Sequence, residues 1–162
     1  MEETFEKLTN RSVVLGFNKS LHDVGYQFAN LDDGWQDCGK GVNGGFHDKD
    51  GFPMMNPVTF PNVSAMTAKA HSLGLSPGFY VNNYQCGGGD CQGGAGGLQY
   101  HRVMNSTVQW LKTNGFEYLK VDSGGCYNDM ELWHDLLVAA DWDITVENCH
   151  QVRYEIEYAL RF

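Results

Sequence analysis

Gly115-Phe116-Glu117-Tyr118-Leu119-Lys120-Val121-Asp122-Ser123-Gly124-Gly125-Cys126 decides how the rest of the chain is read. Phe116, Tyr118, Leu119 and Val121 suit a buried, pleated strand. Ser123-Gly124-Gly125 is a turn cluster that stops it. Asp122 is thereby set at the strand's C-terminal tip, with Lys120 two residues earlier on the same face. In parallel α/β folds that edge is where binding and catalytic groups collect. The alternative role for Asp122 is to cap the helix that follows, which ends at Ala140.

The same unit recurs on either side. Phe5, Leu8, Val13, Val14, Phe17 and Leu21 have helical spacing, which predicts a helix over 3–23. Val24 to Leu31 then reads as a strand that stops at Asp32-Asp33-Gly34-Trp35. Residues 36–57 form a Gly-, Asn- and Asp-rich loop, longer than a passive connection needs. Asn62 to Leu73 is a helix ended by Gly74, and Leu75 to Val81 a strand with Pro77 near its start. Seven glycines fall within 82–97. A third helix runs from Leu98 to Asn114 and a fourth from Asp129 to Ala140. The last strand, Asp143 to Glu147, ends at Asn148-Cys149-His150, and the tail to Phe162 fits either a strand or a helix.

This α-β-α-β-α-β-α-β order predicts an α/β fold with parallel strands and right-handed crossovers. Four such units are half of a (β/α)8 barrel. The rival is a small doubly wound sheet, whose sign is a Gly-rich phosphate turn leading straight into a helix. Gly87-Gly88-Gly89 and Gly93-Gly94 lack that register, so the barrel is preferred.

At 162 residues the chain suffices for one domain with a real core. A net charge of −9 with 11 scattered basic residues argues against nucleic acid and anionic membrane as partners. No apolar run approaches the roughly 18 residues of a membrane span. Met1 to Lys7 is acidic and amphipathic, unlike a signal peptide. Asn10, Asn18, Asn62 and Asn105 nevertheless begin glycan acceptor sequences. The five cysteines (Cys38, Cys86, Cys91, Cys126, Cys149) leave at least one without an internal partner. A secreted protein shown in part accounts for this mixture. No paired Cys-x-x-Cys favours zinc, and no metal or cofactor is expected. His22, His47, His71, His101 and His134 read as surface residues, Trp110 and Trp133 as core.

Placed on one rim, the strand ends deliver Asp32, Asp33 and Trp35, then Tyr80 and Asn82, then Lys120 and Asp122, then Glu147, Cys149 and His150. Carboxylates accept hydrogen bonds from sugar hydroxyls, an ammonium donates to them, and ring faces cover the apolar side of a sugar. A carboxylate can also attack an anomeric carbon while a second acid protonates the leaving oxygen. Asp32-Asp33-Gly34 alone would read as an Asx turn, but a third carboxylate two strands on favours a site. Trp35 fits either the pocket or the core.

Gly25-Tyr26-Gln27-Phe28-Ala29-Asn30-Leu31-Asp32-Asp33-Gly34-Trp35 resembles the second-strand signature of glycoside hydrolase family 27, the α-galactosidases and α-N-acetylgalactosaminidases. Phe60-Pro61-Asn62, His71-Ser72-Leu73-Gly74-Leu75, Gly78-Phe79-Tyr80 and Tyr118-Leu119-Lys120-Val121-Asp122 are similar to its following segments, in order. The resemblance covers roughly residues 5–151. It implies a (β/α)8 catalytic barrel followed by a β-sandwich, with this chain, 1–162, supplying about strands 2 to 5 and their helices.

It also implies a retaining α-galactosidase with Asp122 as nucleophile. Asp32 and Asp33 would hold the galactose 4- and 6-hydroxyls, Lys120 the ring hydroxyls, and Tyr80 would line the pocket. Trp35, Glu147 and His150 complete the expected binding set. Cys126 would pair with Cys86, or with Cys91, in a disulfide beside the sugar. Gly34 stands where the family usually has a cysteine, unless Cys38 replaces it, and Asn82 where it usually has an aspartate. His150 and Gln151 replace a usual Glu and Trp beside Cys149. The family's acid/base lies after its sixth strand, so this chain is expected to be inactive alone. The expected partner is an α-galactoside oligosaccharide or glycoconjugate, in a secreted, lysosomal or vacuolar setting. The contrary reading is a non-catalytic galactoside-binding or vestigial barrel.

Overall fold

Four short strands, each too apolar on one face to stand in water, are drawn together by helices that cover that face. The computed structural model describes residues 1–11, 18–81, 100–122 and 129–149. In order these form α1 (Glu2–Thr9), a 3-10 turn (His22–Val24), β1 (Phe28–Asn30), a second 3-10 turn (Val42–Gly44), α2 (Val63–Ser72) and β2 (Ser76–Val81). There follow α3 (Tyr100–Thr113), β3 (Tyr118–Asp122), α4 (Met130–Ala139) and β4 (Thr145–Cys149).

The strands make one parallel sheet in the order β1-β2-β3-β4, each paired with its successor in sequence. A doubly wound sheet reverses direction at a switch point; a barrel adds strands in sequence around one axis. The sequential order is the barrel's, and the fold is a (β/α)8 barrel segment.

Alternation along the strands separates two faces. Ala29, Leu31, Phe79, Val81, Leu119 and Val121 join one buried cluster with Met66, Val103, Met104, Val108, Leu111 and Trp133 from the helices. The opposite face carries Phe28, 49% exposed, together with Asn30, Gly78, Tyr118, Lys120 and Glu147. Gly78 is required there: a Cβ on it would lie 2.3 Å from Asn30 Oδ1 and 2.9 Å from a Tyr118 ring carbon. Gly115 ends α3 at φ +74°, a left-handed conformation that costs glycine little. Asn62 caps α2 by accepting from the Ala65 N–H at 2.9 Å, and Asp129 caps α4 by accepting from Leu132 N–H at 2.9 Å.

Several expectations are corrected. The first helix does not run to residue 23. It stops at Thr9, because Asn10 is already extended at ψ 122°; Val13, Val14 and Phe17 lie outside the described residues. The first strand is shorter than Val24–Leu31. Its neighbour β2 begins at Ser76, so the ladder opens only where Ser76 N–H meets the Gln27 carbonyl at 2.9 Å. The last strand lies two residues later than 143–147, because the turn after α4 uses Asp141 at φ 47° and returns the Trp142 N–H to Leu137. His47 is buried, not a surface residue; its imidazole pKa falls to about 4 because burial disfavours the charged ring. It belongs to a loop that is itself built, with antiparallel bridges Gln36–Met55 and His47–Pro53 and a buried Phe46.

Candidate active site

Register sets the site. Tyr80 lies beside Lys120, Lys120 beside Glu147, and Asp122 beside Cys149. These side chains share one face near the strands' C-terminal ends.

Asp122 receives the Tyr80 hydroxyl, which donates to its Oδ2 at 2.7 Å. The helix cap is Asp129, so Asp122 is not consumed as a capping group. Lys120 Nζ donates to Asp32 Oδ2 at 2.8 Å and sits 5.3 Å from the Tyr80 ring centroid. The Lys120 side chain is 18% exposed and that of Asp32 69% exposed, so water screens the pair and its worth is positional. Asp32 is held below its ordinary pKa by the Lys120 hydrogen bond, helped by the Asp33 N–H; Lys120 is raised by the same bond to Asp32.

Asp33 Oδ1 accepts from the Gly34 N–H at 2.8 Å and from Gln36 Nε2 at 2.9 Å. The Asp32-Asp33-Gly34 run therefore does make Asx-type turn bonds, and they aim the carboxylates. Trp35 is a core residue: 2% exposed, it packs on Phe79 at 4.5 Å and Phe46 at 5.3 Å, so it offers no ring to a pocket. Its indole N–H donates to the Tyr80 carbonyl at 2.9 Å and fixes the strand that carries the phenol.

Glu147 accepts the Tyr118 hydroxyl and, at 3.0 Å, the Cys149 thiol. These bonds, Tyr118 first, hold its carboxyl below its ordinary pKa. The Tyr118 phenol is pushed up by burial and by Glu147. Burial first, then the bond to Glu147, pushes the Cys149 thiol up to about 11. Cys149 is a free thiol. At pH 8 its alkylation by iodoacetamide in the native protein should run roughly 100-fold slower than that of an unperturbed peptide thiol. Glu147→Gln should speed it by removing the neighbouring charge. Peptide-resolved mass spectrometry checks this, and equal native and peptide rates would contradict it.

The structure thus brings together two hydrogen-bonded pairs, Lys120 with Asp32 and Tyr80 with Asp122, linked by the Lys120 ammonium lying over the Tyr80 ring, with Asp33 beside them and Glu147 adjoining through β4. His150, Asn82, Cys86, Cys91 and Cys126 lie outside the described residues, so the expected disulfide is not described. Cys38 is disulfide-bonded. Gln36 was missed, since a glutamine in a polar loop carries no pattern of its own. Among the described residues no three His, Cys, Asp or Glu side chains converge as a metal would need, and no helix is long and apolar enough to cross a membrane.

A β/α-barrel segment with a carboxylate- and lysine-bearing rim at its strand tips defines the class. The family profile described as "Alpha galactosidase A" matches residues 1–148. "Probable alpha-galactosidase B" of Talaromyces emersonii is 32% identical over 136 residues, 83% of this chain and 26% of that protein. Alpha-galactosidase 3 of Arabidopsis thaliana is 30% identical over 129 residues, 79% of this chain and 25% of that protein. The α-galactosidase structure from Saccharomyces cerevisiae superposes with a TM-score of 0.65 at 21% identity, covering 91% of this chain and 30% of that one. The chain belongs to the α-galactosidase A family of glycoside hydrolase family 27. It spans about a quarter of the length of the curated relatives it matches.

Proposed function

We propose that this chain carries the nucleophile side of a retaining α-galactosidase-type glycoside hydrolase acting on terminal α-galactosyl residues. The observation that carries the reading is Asp122: a carboxylate at the tip of β3, oriented by the Tyr80 hydroxyl at 2.7 Å and not spent on the helix cap. One Asp122 oxygen attacks the anomeric carbon as the bond to the leaving oxygen breaks and that oxygen takes a proton. Water then displaces the Asp122 ester from the opposite face, so two inversions give net retention.

Asp32 and Asp33 are assigned to the galactose 4- and 6-hydroxyls and Lys120 to the ring hydroxyls beside the nucleophile. The proton donor is not drawn from Asp32 or Glu147. Each is held in its charged form, by Lys120 and by Tyr118 with Cys149 respectively, and a general acid needs the opposite. The reading assigns the donor to residues outside those described. A family relative from S. cerevisiae has been solved with raffinose, an α-galactoside of the class proposed here. The secretory route is proposed on exposed acceptor asparagines at Asn10, Asn18, Asn62 and Asn105 and on the disulfide at Cys38.

The test is proton NMR of an aryl α-galactoside during hydrolysis by the full-length protein. The α-anomer of galactose should appear first and mutarotate later. A β-anomer first would overturn retention, and binding without turnover would favour the galactoside-binding alternative.

A further inference from the structure

We propose that Gln36 is a positioning residue for Asp33, fixing the carboxylate that the galactoside reading sets against a sugar hydroxyl; the inference rests on that reading. Gln36 is 6% exposed. Its backbone is clamped across the loop: Gln36 bridges Met55, Asp37 N–H donates to the Met54 carbonyl at 2.9 Å, and Asn56 N–H donates to that of Trp35 at 2.8 Å. From this anchor the side chain turns back on the strand tip. Nε2 donates to Asp33 Oδ1 at 2.9 Å while Oε1 accepts from Gly34 N–H at 3.1 Å. The same Gly34 N–H donates to Asp33 Oδ1 at 2.8 Å, so amide, carboxylate and backbone close a ring.

The ring admits one orientation of the amide. Flipped, Oε1 would face the Asp33 carboxylate and the NH2 would face the Gly34 N–H, two clashes of like groups. A buried amide satisfied at both ends holds a direction, which an apolar side chain of equal volume does not. The two neighbouring carboxylates are thus fixed by different means. Asp32 takes an ammonium from β3, whereas Asp33 takes a neutral amide from its own loop. An amide adds no charge beside Asp33, and so preserves its strength as an acceptor for a hydroxyl.

Two variants of the full-length protein separate positioning from packing. Gln36→Met removes both bonds at similar volume. Gln36→Glu keeps the acceptor for Gly34 N–H but loses the donor and sets a like charge against Asp33. Calorimetry would measure binding of methyl α-D-galactoside and of its 4-deoxy and 6-deoxy analogues, with thermal melting alongside. Each variant should weaken the parent sugar about tenfold, the Glu variant more at pH 7. For the one analogue lacking the hydroxyl that Asp33 receives, the loss should shrink to less than about threefold. An equal loss on all three sugars, or no loss, would overturn the positioning role while leaving the galactoside reading intact. A wild-type protein that binds none of them would overturn both. Should Gln36→Met fail to fold, the near-isosteric Gln36→Glu carries the same comparison.

Discussion

Asp122→Asn should lower turnover of an alkyl α-galactoside by at least about 10³-fold while changing galactose affinity by less than about tenfold. The asymmetry follows from where the charge is needed. As the leaving oxygen departs, the anomeric carbon becomes cationic, and only then does the carboxylate's charge and lone pair act on it. In the bound ground state that carbon is neutral, so an amide of the same shape loses little. Tyr80→Phe removes the 2.7 Å donor to Asp122 without touching the charge, and should cost only about tenfold in kcat. Asp32→Asn should weaken binding and rate together, because hydroxyl contacts exist in both states and the Lys120 partner is lost as well. Steady-state rates on aryl and alkyl galactosides, with binding by calorimetry, separate the three. Undiminished alkyl-galactoside turnover in Asp122→Asn would remove Asp122 from the chemistry.

What the sequence disclosed follows how local each signal is. The β3 strand was legible because its apolar alternation is followed in the sequence by Ser-Gly-Gly, and both cues lie within twelve residues. Likewise α2 and α4 carry their own N-caps and α3 its Gly115 stop, and the observed ends of all three fall within two residues of those expected. Strand β1 was overextended because its length is set by where Ser76 starts β2, a partner far along the chain. The end of β4 was misplaced because pairing continues to Cys149 opposite Asp122, and nothing in Asn148-Cys149 alone favours a strand. That shift sets Cys149 on the Glu147 face. Trp35 was ambiguous for the same kind of reason: its neighbours Phe79 and Phe46 come from β2 and a distant part of the loop. Gln36 and His47 were hidden because the 36–57 loop folds through two isolated bridges, to Met55 and Pro53, which leave no periodicity to read.

The ring cluster behind the site gives the largest expected effect on stability. Phe79→Ala should destabilise the domain by about 3–5 kcal/mol, against a total of about 5–15 kcal/mol for a typical domain. Phe79 is fully buried on the helix-facing side of β2. Its ring meets Trp35 at 4.5 Å, Phe116 at 5.1 Å and Trp110 at 5.4 Å, bringing together the loop after β1, the entry to β3 and the packed face of α3. Truncation would leave a void bounded by three large rings whose backbones belong to different elements, so none can collapse without moving another. Phe79→Leu keeps much of the volume and should cost roughly half as much or less. The next residue is Tyr80, whose carbonyl is held by the Trp35 indole; a Trp35 that relaxes toward the void would also loosen the phenol that orients Asp122. Urea unfolding followed by tryptophan fluorescence measures the loss, and kcat on an aryl galactoside below the unfolding range measures the coupling. A loss under about 1 kcal/mol for Phe79→Ala would show that the four rings are not the keystone joining β2 to its helices.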